Sequence, residues 1–162
     1  MGKIYYVMGK SASGKDTIYK RLVKKMPELG TVRMYTPRPI RDGETNGVEY
    51  IFTDEKQLQA MKDAGKVIEC RTYDTIYGPW SYFTADDGQI DLGSCSYLMM
   101  GTLESYEGLC KYYGAEVMVP LYIHVEDGVR LQRALNRENT QKNPKYAEMC
   151  RRFLADEKDF SK

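Results

Sequence analysis

Apolar positions along the chain change period several times, and each change marks an element. "KIYYVM", residues 3–8, is an apolar run of strand length. It gives way to a glycine-bearing turn and then to a stretch in which Ile18, Leu22, Val23 and Met26 recur at helical spacing until Pro27. From Thr31 to about Phe83 the pattern breaks into short β-like runs, "TVRMY", "GVEYIF", "KVIECRTY" and "TIYGPWSYF". One helix interrupts them, with Asp54 at its cap, Leu58 and Met61 on its inner face and Gly65 as its stop. This middle third reads as a small inserted lobe. Alternation resumes with the strand "CSYLMM", a helix from Thr102 to Tyr113 closed by Gly114, and the strand "VMVPLYIHV". Two helical stretches finish the chain. In the first, Asp127 caps a run with Leu131, Ala134 and Leu135, along which Arg130, Arg133 and Arg137 are spaced. The second opens with Asn143-Pro144 as cap and first turn and puts Tyr146, Met149, Cys150, Phe153 and Leu154 on one face. Between them the polar "RENTQKN", residues 137–143, is expected to be mobile.

Strands alternating with helices in this way predict an α/β domain built on a mainly parallel sheet. The length, 162 residues, fits one domain with a real core. Its composition, 42% hydrophobic and 29% charged, is that of a globular chain. No segment is apolar for long enough to span a bilayer, and the chain passes from "MGK" straight into a strand pattern without a secretory signal. A cytoplasmic location and no membrane partner are therefore expected. A formal charge of +1 lacks the basic excess of a general nucleic-acid binder. The four cysteines, Cys70, Cys95, Cys110 and Cys150, lie far apart with no C-x-x-C pair, which predicts free buried thiols. His124, the one histidine, falls in a strand-like run and reads as a structural imidazole. The fourteen tyrosines read mostly as core or half-buried strand residues. "DDGQIDLG", residues 86–93, reads as an exposed turn.

The candidate chemistry begins at "GKSASGKDT", residues 9–17, which fits G-x-x-x-x-G-K between a strand and a helix. Gly9 and Gly14 let the backbone curl so that successive amides of Ser11, Ala12, Ser13 and Gly14 face phosphate oxygens, and the helix adds its positive end. Lys15 reaches the β- and γ-phosphates of ATP. Asp16 stands where a hydroxyl residue usually touches Mg²⁺. As a hard oxygen ligand it can hold Mg²⁺ directly or through water; it also adds negative charge beside ATP and can weaken the site, or serve only as a helix-start residue favoured by the dipole. Thr17 keeps a hydroxyl at the helix start. A second candidate site lies in "YTPRPIRDGETNGVEYIF". There Arg38 and Arg41, three apart on a turn with Gly43 and Gly47, can grip one phosphate by bidentate bonds, and Tyr50 can add a third donor.

Thr36, Arg38, Arg41, Gly43, Glu44, Gly47, Tyr50 and Phe52 fall at the spacing of the acceptor pattern of guanylate kinases, which the chain resembles over nearly its whole length. Further matches are Glu69, at the position of the glutamate that recognises the guanine edge, and the pair Tyr77-Gly78. Arg133 and Arg137 resemble the lid arginines, and Arg151 or Arg152 a further phosphate-binding arginine, with Arg152 preferred. The resemblance implies one domain over 1–162 in three parts. These are a phosphate-loop core (1–30, 84–125 and a C-terminal helix, 143–160), a mixed-β acceptor lobe (31–83) and a helical lid (126–142). It also implies ATP and Mg²⁺ as cofactors, Lys15, Arg38, Arg133, Arg137 and Arg152 as catalytic residues, and GMP or dGMP as the acceptor, in a monomer or homodimer. Several positions depart from the family. Met34 replaces a serine near the base, Pro79 replaces a hydroxyl residue after tyrosine-glycine, and Met99 and Gly101 stand where an acidic pair is usual. These departures leave two other functions open: a kinase with a different phosphorylated acceptor, such as another nucleotide or a sugar phosphate, and a non-catalytic binding module.

Overall fold

Two sheets share the strands of the computed structural model, which describes residues 1–75 and 77–161, so that Ile76 of the "TIYGPWSYF" run and Lys162 lie outside the described residues. The first sheet is parallel throughout, in the order β2 (Gly30–Thr31), β7 (Tyr97–Gly101), β1 (Ile4–Met8), β8 (Met118–Tyr122). The second is mixed, in the order β4 (Ile51–Phe52), β3 (Tyr35–Thr36), β6 (Gly78–Ala85), β5 (Val67–Thr75). β4 runs parallel to β3, whereas β6 is antiparallel to both β3 and β5. The helices are α1 (Lys15–Lys25), α2 (Glu55–Asp63), α3 (Leu103–Tyr113), α4 (Asp127–Asn139) and α5 (Tyr146–Asp159). The α/β class and the parallel core sheet are those expected from the pattern of the chain, and the mixed second sheet is the one the resemblance implied.

Register decides where a ligand can sit. Ile4 lies opposite Tyr97 and Met118, and Met8 opposite Gly101 and Tyr122, so three neighbouring strands end level with one another. Their carboxyl ends release the glycine turn after Met8, the Thr102 cap of α3 and the segment after Tyr122 on one edge of the sheet. That edge is where open parallel sheets form their binding crevices. Beneath it Ile4, Tyr6, Met8, Tyr97, Met99, Leu109, Val117 and Met118 pack as one core, and a smaller cluster of Leu58, Phe83 and Ala85 supports the second sheet.

Local chemistry explains the helix ends where a side chain supplies the cap. Asp54 Oδ1 accepts from Gln57 N at 2.7 Å to start α2, and Thr102 Oγ1 accepts from Ser105 N at 3.3 Å to start α3, which Gly114 closes. The last two helices differ from expectation. Asp127 is the first residue of α4 rather than its cap, which is Glu126, and Leu131 is exposed. α5 starts after Asn143-Pro144, with Lys145 at its cap. Only the Met149–Phe153 stripe of its expected face is half-buried; Tyr146, Cys150 and Leu154 are exposed. The reason is that α5 meets the body through one narrow seam with α4 and the glycine turn, so apolar residues one stripe over have nothing to pack on. Arg130, on α4, is buried in that seam.

Three smaller expectations also change. β8 ends at Tyr122, and His124 beyond it has an exposed side chain, 3.6 Å from Glu126. Cys150 is an exposed thiol, while Cys70, Cys95 and Cys110 are half-buried. Tyr77, Tyr112, Tyr122 and Tyr146 are exposed, and the remaining tyrosines are buried or half-buried as expected. No helix among the described residues is long and apolar enough to cross a membrane.

Leu109 is wholly buried between α3 and the parallel sheet. Leu109→Ala is expected to lower unfolding free energy by about 2–5 kcal/mol, measured by urea denaturation followed by circular dichroism.

Candidate active site

Sterics build the glycine turn. A Cβ on Gly9 would sit 2.8 Å from the Ile123 carbonyl and 2.9 Å from Ser13 Oγ, so only glycine lets the turn lie against the strand edge. Ala12 (φ 59°) and Gly14 (φ 85°) both take left-handed backbone, and Gly14 leads directly into α1. Left-handed residues set among right-handed ones turn successive amides to one side, which is the geometry of an anion nest. Ser13 Oγ is buried there without a hydrogen-bond partner among the described residues. Lys15, the first residue of α1, lines the cleft in front of the turn, with its Nζ 3.8 Å from an Asp16 oxygen. The Asp16 carboxylate is largely exposed, as is Thr17. A turn of this shape fits a triphosphate, and Mg²⁺ carried on the phosphates needs only one or two protein oxygens, which Asp16 and Thr17 can supply.

Arg130 fastens this turn to the last two helices. Its Nη1 donates to the Ser11 carbonyl at 3.1 Å, and its Nη2 donates to Asp127 at 2.7 Å and to Glu157 at 3.0 Å, with Asp156 3.7 Å away. Arg130 is 1% exposed, and three carboxylates and a carbonyl compensate its loss of water. Lys10 joins the cluster through Glu157 at 2.6 Å, and the Ser11 amide donates to Asp156 at 2.7 Å. Arg133 Nη1 reaches the Ala12 carbonyl at 3.5 Å. Arg137 and Arg152 line a small cavity of about 30 Å³ beside Ser11.

A much larger cleft, about 1210 Å³, opens between the two sheets. Lys15 and Asp16 line it beside the glycine turn, Arg41, Tyr50 and Tyr77 from the segments of the second sheet, and Arg152 from α5. Arg38 is not in its wall. The Arg38 guanidinium is buried and donates to both oxygens of Glu44, at 2.8 and 2.6 Å, while its Nε donates to Tyr82 at 3.2 Å. Glu44 also accepts from the Arg41 amide at 2.9 Å, so Arg38 holds the turn that carries Arg41. The Arg38 guanidinium beside it pulls the Glu44 carboxyl down to about 2. Tyr77 stacks on Trp80 and accepts from Lys145 Nζ at 3.0 Å, which links the second sheet to the start of α5.

Glu69 is likewise withdrawn from the cleft. Its carboxylate accepts from Arg71 Nη1 at 2.8 and 3.0 Å and from the Thr84 hydroxyl at 2.7 Å, with 6% of the side chain exposed. Arg71, two residues along the same strand, lines the cleft in its place. Period-two spacing from Glu69 was the signal that could have found Arg71, since both sit on one face of β5. Trp80, Lys145 and Asp156 also line the cleft, and they carry no motif that would have singled them out.

The sequence model of guanylate kinases matches residues 1–81, half of the chain, taking in both the glycine turn and the Arg38–Phe52 segment. The chain belongs to the guanylate kinase family. The guanylate kinase of Legionella pneumophila (strain Lens) is 36% identical over 78 residues, which are 48% of this chain and 37% of the relative. That of Coxiella burnetii is 36% identical over 76 residues, 46% and 37% of the two chains. The matched stretch thus spans little more than a third of these curated relatives. The crystal structure of guanylate kinase from Anaplasma phagocytophilum superposes with a TM-score of 0.62 over 83% of this chain and 67% of that one, at 20% identity, a likeness of fold.

Two of the four departures from the guanylate kinase pattern, Met34 and Gly101, line the cleft. Met34 Sδ lies 3.2 Å from Arg71 Nη2, and a side chain at Gly101 would overlap the Tyr6 hydroxyl. Met99 is buried in the core, and Pro79 is exposed opposite Asp74 in the β5–β6 pairing.

Because the Glu44 carboxyl is depressed in the folded chain, it favours folding above its ordinary value of 4.5, and that contribution is lost as pH falls through about 2. Stability measured by urea denaturation is expected to drop across this acid window, and Glu44→Gln is expected to flatten that drop relative to the wild-type chain.

Proposed function

We propose that this chain transfers the γ-phosphoryl group of ATP to the phosphate of a nucleoside monophosphate, with GMP and dGMP the first candidates. The observation that carries the proposal is that Lys15, at the head of an anion-binding turn, and Arg41 with Tyr50, on the Arg38-braced turn, face one cleft from opposite sides. Membership of the guanylate kinase family supports the same chemistry.

In this reading the amides from Ser11 to Gly14 and the Lys15 ammonium hold the ATP phosphates, while Arg41 and Tyr50 hold the acceptor phosphate. An acceptor phosphate oxygen forms the new bond to the γ-phosphorus, the bond from that phosphorus to the β-bridging oxygen breaks, and ADP leaves with the electron pair. No protein nucleophile takes part. The residues work by alignment and by neutralising charge, which is where the rate of phosphoryl transfer is gained. Mg²⁺, when bound to the triphosphate, supplies further charge neutralisation. Arg152 lines both the cleft and the small cavity beside Ser11, Arg133 and Arg137 lie beside the glycine turn on α4, and Arg38 acts by positioning Arg41. Movement of the segment 126–142 and of the lobe 31–83 toward the core would exclude water from the transfer.

A coupled assay of ADP release with ATP, Mg²⁺ and a panel of nucleoside monophosphates tests the proposal. ADP formation that depends on the acceptor is expected, and Lys15→Ala is expected to lower kcat on the order of 100-fold or more. Full activity in Lys15→Ala, or no acceptor-dependent ADP across the panel, would overturn it.

A further inference from the structure

One wall of the acceptor cleft carries an arginine whose donors are only partly matched by acceptors. Arg71 is 5% exposed and sits in the cleft wall. Of its three nitrogens only Nη1 reaches an oxygen acceptor, Glu69; Nη2 reaches the Met34 thioether at 3.2 Å, and Nε has no partner among the described residues. A thioether is a weak acceptor on a flexible side chain that can yield its place. Burial is the largest single influence and works against the Arg71 charge, but Glu69, Tyr6 and Tyr73 together outweigh it and favour the charged guanidinium.

The same contacts remove Glu69 as a reader of substrate. Its oxygens serve Arg71 and Thr84 behind the wall, and the residue does not line the cleft. The group presented to a base is therefore a donor where a carboxylate was expected. An arginine fork suits an oxo group with a neighbouring ring nitrogen, the O6 and N7 edge of a 6-oxopurine, whereas adenine puts a donor amine at the same place.

Resting on the phosphotransfer reading for the site's use, we infer that Arg71 determines base specificity. It donates to the oxo edge of the acceptor nucleotide, so that 6-oxopurine monophosphates are selected over AMP while the 2-amino group that separates GMP from IMP goes unread.

Equilibrium binding of GMP, IMP and AMP, measured by titration calorimetry, tests this without requiring transfer. GMP and IMP are expected to bind within about tenfold of each other, and AMP at least tenfold more weakly than either. Replacing Arg71 alone strands the Glu69 carboxylate, so the informative variant is Glu69→Gln/Arg71→Met, with its fold checked by circular dichroism. In that variant the preference for GMP over AMP is expected to fall to near unity, with the Kd for ATP unchanged. The inference is overturned if wild type binds AMP as tightly as GMP, if IMP binds more than tenfold more weakly than GMP, if none of the three binds, or if the folded double variant keeps the preference. Selective binding without ADP formation would uphold Arg71 and count against the transfer reaction alone.

Discussion

A single buried guanidinium holds the phosphate turn to the rest of the molecule. Arg130 gathers Asp127, Asp156 and Glu157 around itself and gives its remaining donor to the Ser11 carbonyl, so α4, α5 and the glycine turn share one electrostatic node. Such a cluster adds little net stability over a well-packed apolar one, because each charge has been stripped of water. Its worth is positional. Removing one member leaves the others buried and unpaired, so the helices cannot slide against the turn without a large penalty, and the glycine turn is held in one conformation.

The acceptor side is organised by a similar substitution of internal partners for water, with a different outcome. Arg38 is spent on Glu44 and Tyr82, which stiffens the turn and leaves Arg41 forward in the cleft. Arg71 is spent only in part, on Glu69, with its Nη2 on the Met34 thioether and its buried Nε without a partner among the described residues. One arginine therefore braces a backbone turn, while the other is left with an unpartnered nitrogen. The guanylate kinase departures at Met34 and Gly101 sit against Arg71 and Tyr6, which makes them parts of one altered pocket.

Much of the fold was legible because its signals are local. Asp54 and Thr102 cap their helices through side chains a few residues from the amides they satisfy, and the apolar runs at Ile4–Met8 and Tyr97–Gly101 are long enough to announce buried strands. The glycine turn was legible because a Cβ at Gly9 would meet the Ile123 carbonyl and Gly14 takes a left-handed φ that glycine favours. What escaped depends on distance along the chain. Arg130 looks like any surface arginine on an amphipathic helix until Ser11, 119 residues away, comes to meet it. Arg71 reads as a charge on a strand until Glu69 and Met34 define which of its nitrogens are taken. The exposed stripe of Tyr146, Cys150 and Leu154 has the right period for a buried face, but periodicity does not say whether a neighbour exists to cover it.

The crowding at Gly101 constrains the order in which this pocket can be rebuilt. Any side chain there meets the Tyr6 hydroxyl first, and with that oxygen gone the ring carbon that carried it still stands 3.1 Å from the new Cβ. An engineer wishing to install an acidic residue at the end of β7 has to trim the tyrosine on the central strand beforehand; taken in the reverse sequence, the first step breaks the core before the second can relieve it.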